Sequence, residues 1–567
     1  MMAVFVLLAA LAFASAWSDP VGRTEGVGLD SMNTMWFLRW VPFAVTHAHN
    51  PLLTNWMYYP TGVSVMWNNA DALPGLGLLT APLQAVLPIT AVFNIVATVG
   101  VGLSAWAAYF AIRRHVESRA AATLGGLVFG FGPYMSAQWL GHIGLALAFV
   151  APLMLMVLED ILVWQRGSAR RLGALLGLLA GGQVLLTEEM LASEVVVATV
   201  LILAMVALRP REVLKRISFA ARSLVWSLVV FVVIAGPPIA EQFLGPHRLR
   251  GALRTPDIFV TDVLNLILPT QALLLHPFGL IGQGFTGNLT EWNGYLGVPL
   301  MAACAVAATR HWRRLDVRLA LYVAVVVTVL SFGPRVHVAG QSTGIPGLWH
   351  AGRIPILQNI VPARLMMLTD LAAGWLVAVL VGGLLCAPKT APRLAAAGGI
   401  AAVLLASLLP SWPVISERHH VPAFFTGGGV QTLAAGSNVL IFPLPLSKEY
   451  DTNYAYEPLL WQVAADMRFK VPLFTAIVPG PDGKQLPEPD LGPMARAVVA
   501  IQDDAPATAA PDVAERAAII ADLRAREVST VLLGPMPRRD EVEAYVVAVL
   551  GHGEESGGVT LWRLDRI

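Results

Sequence analysis

The sequence predicts a polytopic α-helical membrane protein with about 11 transmembrane helices and a C-terminal extracytoplasmic α/β domain. Three observations carry this fold class. Of 567 residues, 56% are hydrophobic and only 13% charged, with a mean hydropathy of +0.64, too apolar for a soluble domain. Uncharged runs recur at about 20 residues, the length that crosses a bilayer. Lysines and arginines collect in every second connection between those runs, and such connections stay on the cytoplasmic side during insertion.

The basic connections are Arg113, Arg114 and Arg119; Arg166, Arg170 and Arg171; Arg209, Arg211, Lys215 and Arg216; Arg310, Arg313 and Arg314; and Lys389 with Arg393. The apolar runs between them place spans near 2–17, 89–112, 119–133, 143–163, 171–187, 190–208, 218–240, 294–309, 317–332, 364–386 and 394–411. The first run has signal-peptide length but no basic segment before it. Reading it as a retained span makes all five basic loops cytoplasmic, with the N-terminus inside and the C-terminus outside the plasma membrane.

The first outside connection, 18–72, is polar at its start and aromatic later, with Trp36, Trp40, Trp56, Tyr58, Tyr59 and Trp67. Residues 36–47 space their apolar positions as a helix lying along the interface would. The proline-broken stretch 72–88 reads as re-entrant or interfacial, and 241–293 and 333–363 are further outside segments. Past Pro410 the hydropathy drops, which divides the chain into a membrane domain, 1–411, and an outer domain, 412–567. In the latter, 438–443, 528–533 and 559–564 read as strands, 515–526 and 540–550 as amphipathic helices, and 479–511 as a long loop.

Composition also excludes functions. Thirty-eight basic against 37 acidic residues leave a net charge of +1, so no global field favours nucleic acid. Both cysteines, Cys304 and Cys386, sit in apolar runs, and no disulfide framework follows. No Walker loop, dinucleotide fingerprint or GxSxG elbow stands in a strand-to-helix context.

Ionisable residues with chemical potential lie in the outside segments. Asp30, in GVGLDSMNTMWFLRW, suits deprotonation of an acceptor hydroxyl or the holding of a divalent cation; it equally suits the cap of a helix starting near Asn33. His142, Glu188, Glu189 and Glu291 fall in outer turns, either converging on a substrate or merely facing water. No pair has the spacing of a metal motif such as HExxH. Arg353, Arg364, Arg248, Arg250 and Arg254 are arginines on the outer side and need a reason. A phosphate head group is one, because guanidinium matches its oxygens with two parallel bonds; pairing with lipid phosphate or local acids is another. The adjacent His419 and His420 read as surface.

The order of a first span, an outside loop with an Asp, then NPLLTNWMYYPTG (50–62), FGFGPYMSAQWLGH (129–142), TEEMLASE (187–194), TEWNGYLGVPLM (290–301), LSFGPRVHVAG (330–340) and IPILQNIVPARLM (354–366) resembles bacterial, often actinobacterial, multi-span proteins of the GT-C glycosyltransferase superfamily. The resemblance implies transfer of a sugar from a polyprenyl-phosphate carrier to a glycan or lipid acceptor of the cell envelope, on the outer face of the membrane. It implies a catalytic carboxylate in the first outside loop, which falls on Asp30. Many members carry two acids together there; Asp30 has no acidic neighbour, and Glu25 is the substitute within the same loop. The resemblance fixes no second acidic site by a motif; the outer-turn residues His142, Glu188, Glu189 and Glu291 and the arginines Arg353 and Arg364 are the candidates for binding substrate, with the apolar wall between spans for the prenyl tail. The competing expectations are a lipid or glycan transporter or flippase, which calls for carboxylates near the bilayer midplane, and a non-catalytic envelope assembly protein.

Overall fold

The computed structural model describes residues 1–68, 72–276, 284–350, 354, 357–387, 390–444, 453–474, 476–486, 490–503 and 510–564. Arg353 lies outside the described residues. The chain divides into two compact units, one of 1–18, 94–237 and 251–416, the other of 19–93, 238–250 and 417–567.

In the first unit, helices stand where the apolar runs fall. Six helices among the described residues are long and apolar enough to cross a membrane: Ile89–Arg113, Ile143–Trp164, Ala169–Leu208, Pro210–Leu244, Pro362–Cys386 and Ala391–Leu408. Met2–Ala12 and Gly297–Arg310 are shorter apolar helices. Leu315–Ser331 and Arg119–Gly130 are further helices of this unit.

Ala169–Leu208 is helical over 40 residues except at Thr187, whose φ of −157° and ψ of 107° are extended. A straight helix of that length would measure about 60 Å, twice the hydrocarbon thickness. Glycine contacts show that the chain turns back instead. A Cβ on Gly173 would strike the Ser223 carbonyl, one on Gly177 the Ser227 carbonyl, and one on Gly181 the Ile234 side chain. The partners advance in step with the glycines, so 169–186 runs parallel to Pro210–Leu244. Residues 188–208 must therefore return in the opposite direction, with Glu188 and Glu189 at the reversal.

One end of this unit is knit by basic loops. Arg114 Nη1 donates to the Met156 carbonyl at 3.0 Å and pairs with Asp160, while Arg314 Nη2 donates to the His115 carbonyl at 3.2 Å. Three of the five basic connections thus share one end. Between the ends, Arg119–Gly130 crosses Pro362–Cys386 at glycine: a Cβ on Gly125 would lie 2.6 Å from the Gly374 carbonyl, and one on Gly374 would lie 2.5 Å from the Gly125 carbonyl.

The second unit holds a four-stranded sheet. Asn438–Phe442 pairs parallel with Val528–Leu533, which pairs antiparallel with Val559–Arg563, with Glu554–Ser556 at the edge. Val513–Ala525 begins two residues before its apolar pattern because Asp512 and Glu515 form a reciprocal capping box. Its side chains and those of Arg539–Leu550 and Gly492–Gln502 close a core around Phe442, Val531 and Trp562.

Three expectations are corrected here. The stretch 479–511 is not all loop, since Gly492–Gln502 is an amphipathic helix opening on a proline. The chain does not divide at 411/412: the first loop shares a unit with the later α/β layer. The reason is that its helix Leu29–Thr46 carries apolar residues around most of its circumference and needs cover on several sides. Within the unit Trp36 Nε1 donates to Gln462 Oε1 at 2.6 Å and Trp56 Nε1 to the Met467 carbonyl at 2.6 Å. For the same reason 36–47 is not a one-sided interfacial helix but a buried one.

Candidate active site

The reversal at Thr187 puts Glu189 where it meets a second carboxylate and an arginine, all within the first unit. Arg364 stands in the turn Pro362–Leu365 that opens the helix Met366–Cys386. Its Nη1 donates to Glu189 Oε2 at 2.5 Å, and its Nε and Nη2 donate to Glu291 Oε1 at 2.9 and 2.5 Å. Glu189 Oε1 accepts from the Val361 backbone N–H at 2.8 Å. His142 Nδ1 is 3.6 Å from Glu291 Oε1 and 3.1 Å from Gln138 Oε1, and Gln138 Nε2 donates to the Thr290 carbonyl at 2.9 Å. Four turns therefore converge on one buried cluster.

Charge balance within it follows. Glu291 is 2% exposed, and burial alone would push its carboxyl up. Arg364 first and His142 next outweigh that and hold it below the ordinary range, so it is ionised at neutral pH. Its Oε2 accepts no hydrogen bond among the described residues. An ionised carboxylate with an unused oxygen is equipped to accept a hydroxyl.

Arg364 is where expectation and geometry part. All three of its nitrogens are taken by Glu189 and Glu291, and its side chain is 6% exposed. A phosphate would have to displace two carboxylates, so local acids explain this arginine. Arg254, an exposed residue whose guanidinium lies 5.6 Å from the centre of the Phe259 ring, is near enough to Glu291 to help lower its pKa.

Asp30 and Glu25 belong to the second unit. The helix starts at Leu29, with Gly28 as its N-cap and no side-chain cap bond, so Asp30 lies inside the first turn and does not cap a helix near Asn33. Asp30 is half-buried. Glu25, on the strand Arg23–Glu25, is 2% exposed, and burial pushes its carboxyl well above the ordinary range. Burial of this kind disfavours the ionised form that a base needs, whereas Asp30 in the same loop is only half-buried. Glu188 stands at the chain reversal in the first unit, one residue before Glu189. His419 is not surface: its Nε2 lies 2.6 Å from Thr24 Oγ1 and its Nδ1 3.3 Å from Glu457 Oε1.

Sequence reasoning missed Gln138, Glu417, Glu457 and Glu194. The last had a signal, a carboxylate inside an apolar run. Glu194 lines an apolar cavity of about 180 Å³ together with Met154, Leu201, Val323 and Leu371, and neither of its oxygens has a hydrogen-bond partner among the described residues. Among the described residues no group of three or more His, Cys, Asp or Glu is placed to hold a metal ion.

The fold is similar to that of solved glycosyltransferases of the GT-C type, which are multi-pass membrane proteins. The arabinofuranosyltransferase AftD from mycobacteria matches 99% of this chain at 16% identity with a TM-score of 0.59, and a mutant of that enzyme matches 100% at 13% identity with a TM-score of 0.57. ArnT from Cupriavidus metallidurans bound to undecaprenyl phosphate matches 99% of this chain and 97% of its own at 13% identity, with a TM-score of 0.45. This chain spans only 40% and 42% of the two AftD chains. It belongs to the family defined by DUF6311, a domain of unknown function, matched over residues 2–351. No curated protein matches the sequence.

Proposed function

We propose that this chain transfers a sugar from a polyprenyl-phosphate-linked donor to a glycan or lipid acceptor of the cell envelope, on the outer face of the plasma membrane. The observation that carries the reading is the GT-C fold with Asp30 on the first helical turn after the opening outside loop. Asp30 takes the proton of the acceptor hydroxyl as its oxygen bonds to the anomeric carbon. The bond from that carbon to the phosphate oxygen breaks, and polyprenyl phosphate leaves with the electron pair. The first unit, taken by itself, offers groups suited to a sugar hydroxyl, a phosphate and a prenyl tail: the unused Glu291 Oε2, the exposed Arg254 and the apolar cavity beside Glu194. A divalent cation at Asp30 belongs to the same proposal as an open requirement of the chemistry.

Asp30→Asn keeps the shape and removes the base. Loss of general-base catalysis costs on the order of 100- to 10,000-fold, so product formation from a polyprenyl-phosphate sugar should fall at least about 100-fold with folding intact. Unchanged turnover by the purified Asp30→Asn variant defeats the assignment.

A second reading, lipid transport, is favoured by one observation, Glu194 in an apolar cavity between spanning helices with no hydrogen-bond partner among the described residues. Under that reading Asp30→Asn leaves lipid movement in proteoliposomes untouched, and Glu194→Gln stops it.

A further inference from the structure

The loop that presents Asp30 is held from behind by a buried polar network. Strand Arg23–Glu25 pairs with Ser416–Arg418, and alternation along the latter turns Glu417 inward, 3% exposed, while Arg418 faces solvent. Glu417 Oε2 accepts from the Gly28 backbone N–H at 2.8 Å. Gly28 has φ +89° and ψ −165°, a conformation essentially reserved for glycine, and the helix carrying Asp30 starts at the next residue. The other oxygen of Glu417 has no hydrogen-bond partner among the described residues.

Beside this contact, Thr24, His419 and Glu457 follow one another as hydroxyl, imidazole and carboxylate, the order found in nucleophilic triads. Thr24 is 0% exposed, so no substrate reaches its hydroxyl. The chain of bonds instead ties the strand under Gly28 to the helix Glu457–Ala464, reinforced by the His420 backbone N–H donating to Glu457 Oε1 at 3.3 Å.

We infer that Glu417 is a positioning residue for catalysis: through the Gly28 N–H it fixes the turn that aims Asp30, while Thr24, His419 and Glu457 keep the strand beneath it in register. The inference rests on Asp30 being the base. Burial pushes the Glu417 carboxyl up to about 7, against the Gly28 hydrogen bond and His419, which draw it down. The protonated, neutral form is therefore populated near neutrality and still offers an acceptor oxygen to Gly28. A neutral amide should serve the same purpose.

The test uses the full chain, purified, with a polyprenyl-phosphate sugar as donor. Glu417→Ala should lower kcat on the order of 10- to 100-fold, the size of effect that a small misplacement of a catalytic group produces, with the donor KM unchanged. Glu417→Gln should restore kcat to within a few fold. If kcat per folded molecule is normal in Glu417→Ala, or lost equally in Glu417→Gln, the positioning role is overturned. Asp30→Asn run alongside separates the two levels. An inactive Asp30→Asn with a fully active Glu417→Ala removes only the positioning role, whereas an active Asp30→Asn removes the base on which it rests.

Discussion

At the scale of single residues, Arg364 shows why a basic side chain on the outer side is an ambiguous sign. An outer location, as the basic loops predict, suits a phosphate and suits paired acids equally well, and only the fold brings Glu189 and Glu291, 102 positions apart in the chain (291 − 189), to its three nitrogens. The two roles predict different losses. Arg364→Met leaves two carboxylates buried without a counter-charge, which costs about 3–5 kcal/mol when one partner of a buried pair is removed. The variant should melt well below the parent in detergent, and adding Glu291→Gln should recover part of the loss by removing one of the stranded charges. A variant that keeps the parent's melting point but needs far more donor for half-maximal turnover would instead return Arg364 to the phosphate. Asp30 stands out in the sequence because an acid soon after the first apolar run, with aromatic residues following, is a local signal. Its support by Glu417 and His419 does not, since nearly 400 residues separate the partners and adjacent histidines look like surface until the strand alternation is known.

At the scale of elements, the helices were readable because apolar run length and basic punctuation are properties of a short window. The reversal inside TEEMLASE was readable as well, and its physical cause is a single extended residue, Thr187. What the window hides is which helices touch. Gly173, Gly177 and Gly181 recur every four residues and form one face, yet the partner, Pro210–Leu244, is fixed only by the fold. Gly177→Leu tests that pairing. Its Cβ would lie 2.3 Å from the Ser227 carbonyl, a backbone atom that cannot swing aside, so the two helices must separate. Overpacking of this kind costs about 1–3 kcal/mol or more. The yield of monodisperse protein should drop and the melting point with it, whereas Gly182→Leu, where nothing lies within 4 Å of the added Cβ, should be indistinguishable from the parent. Equal behaviour of the two variants would mean that the glycine face is not a packing surface. The helix Gly492–Gln502 escaped the sequence because its neighbourhood is dense in proline and glycine, and an 11-residue pattern is easily lost in such company.

At the scale of the whole molecule, orientation in the membrane decides whether outer-face chemistry is available at all. The argument is electrostatic. Positive loops resist translocation, and three of the five are joined at one end of the first unit through Arg114, His115, Asp160 and Arg314, while the cluster of His142, Glu189, Glu291 and Arg364 assembles from the alternate turns. If the basic end is cytoplasmic, the acidic cluster faces the compartment where a flipped, lipid-linked sugar is exposed and a nucleotide sugar is not. Single cysteines test this directly in a background with Cys304 and Cys386 replaced by alanine. Gln341→Cys on the exposed hairpin strand Gln341–Pro346 and Asp482→Cys in the second unit should react with a membrane-impermeant maleimide in intact cells. Arg166→Cys, exposed in a basic loop, should react only after the membrane is permeabilised. The reverse pattern would put the carboxylate cluster in the cytosol, where the carrier lipid is made rather than used as a donor, and glycosyl transfer by the proposed route would have no donor to draw on.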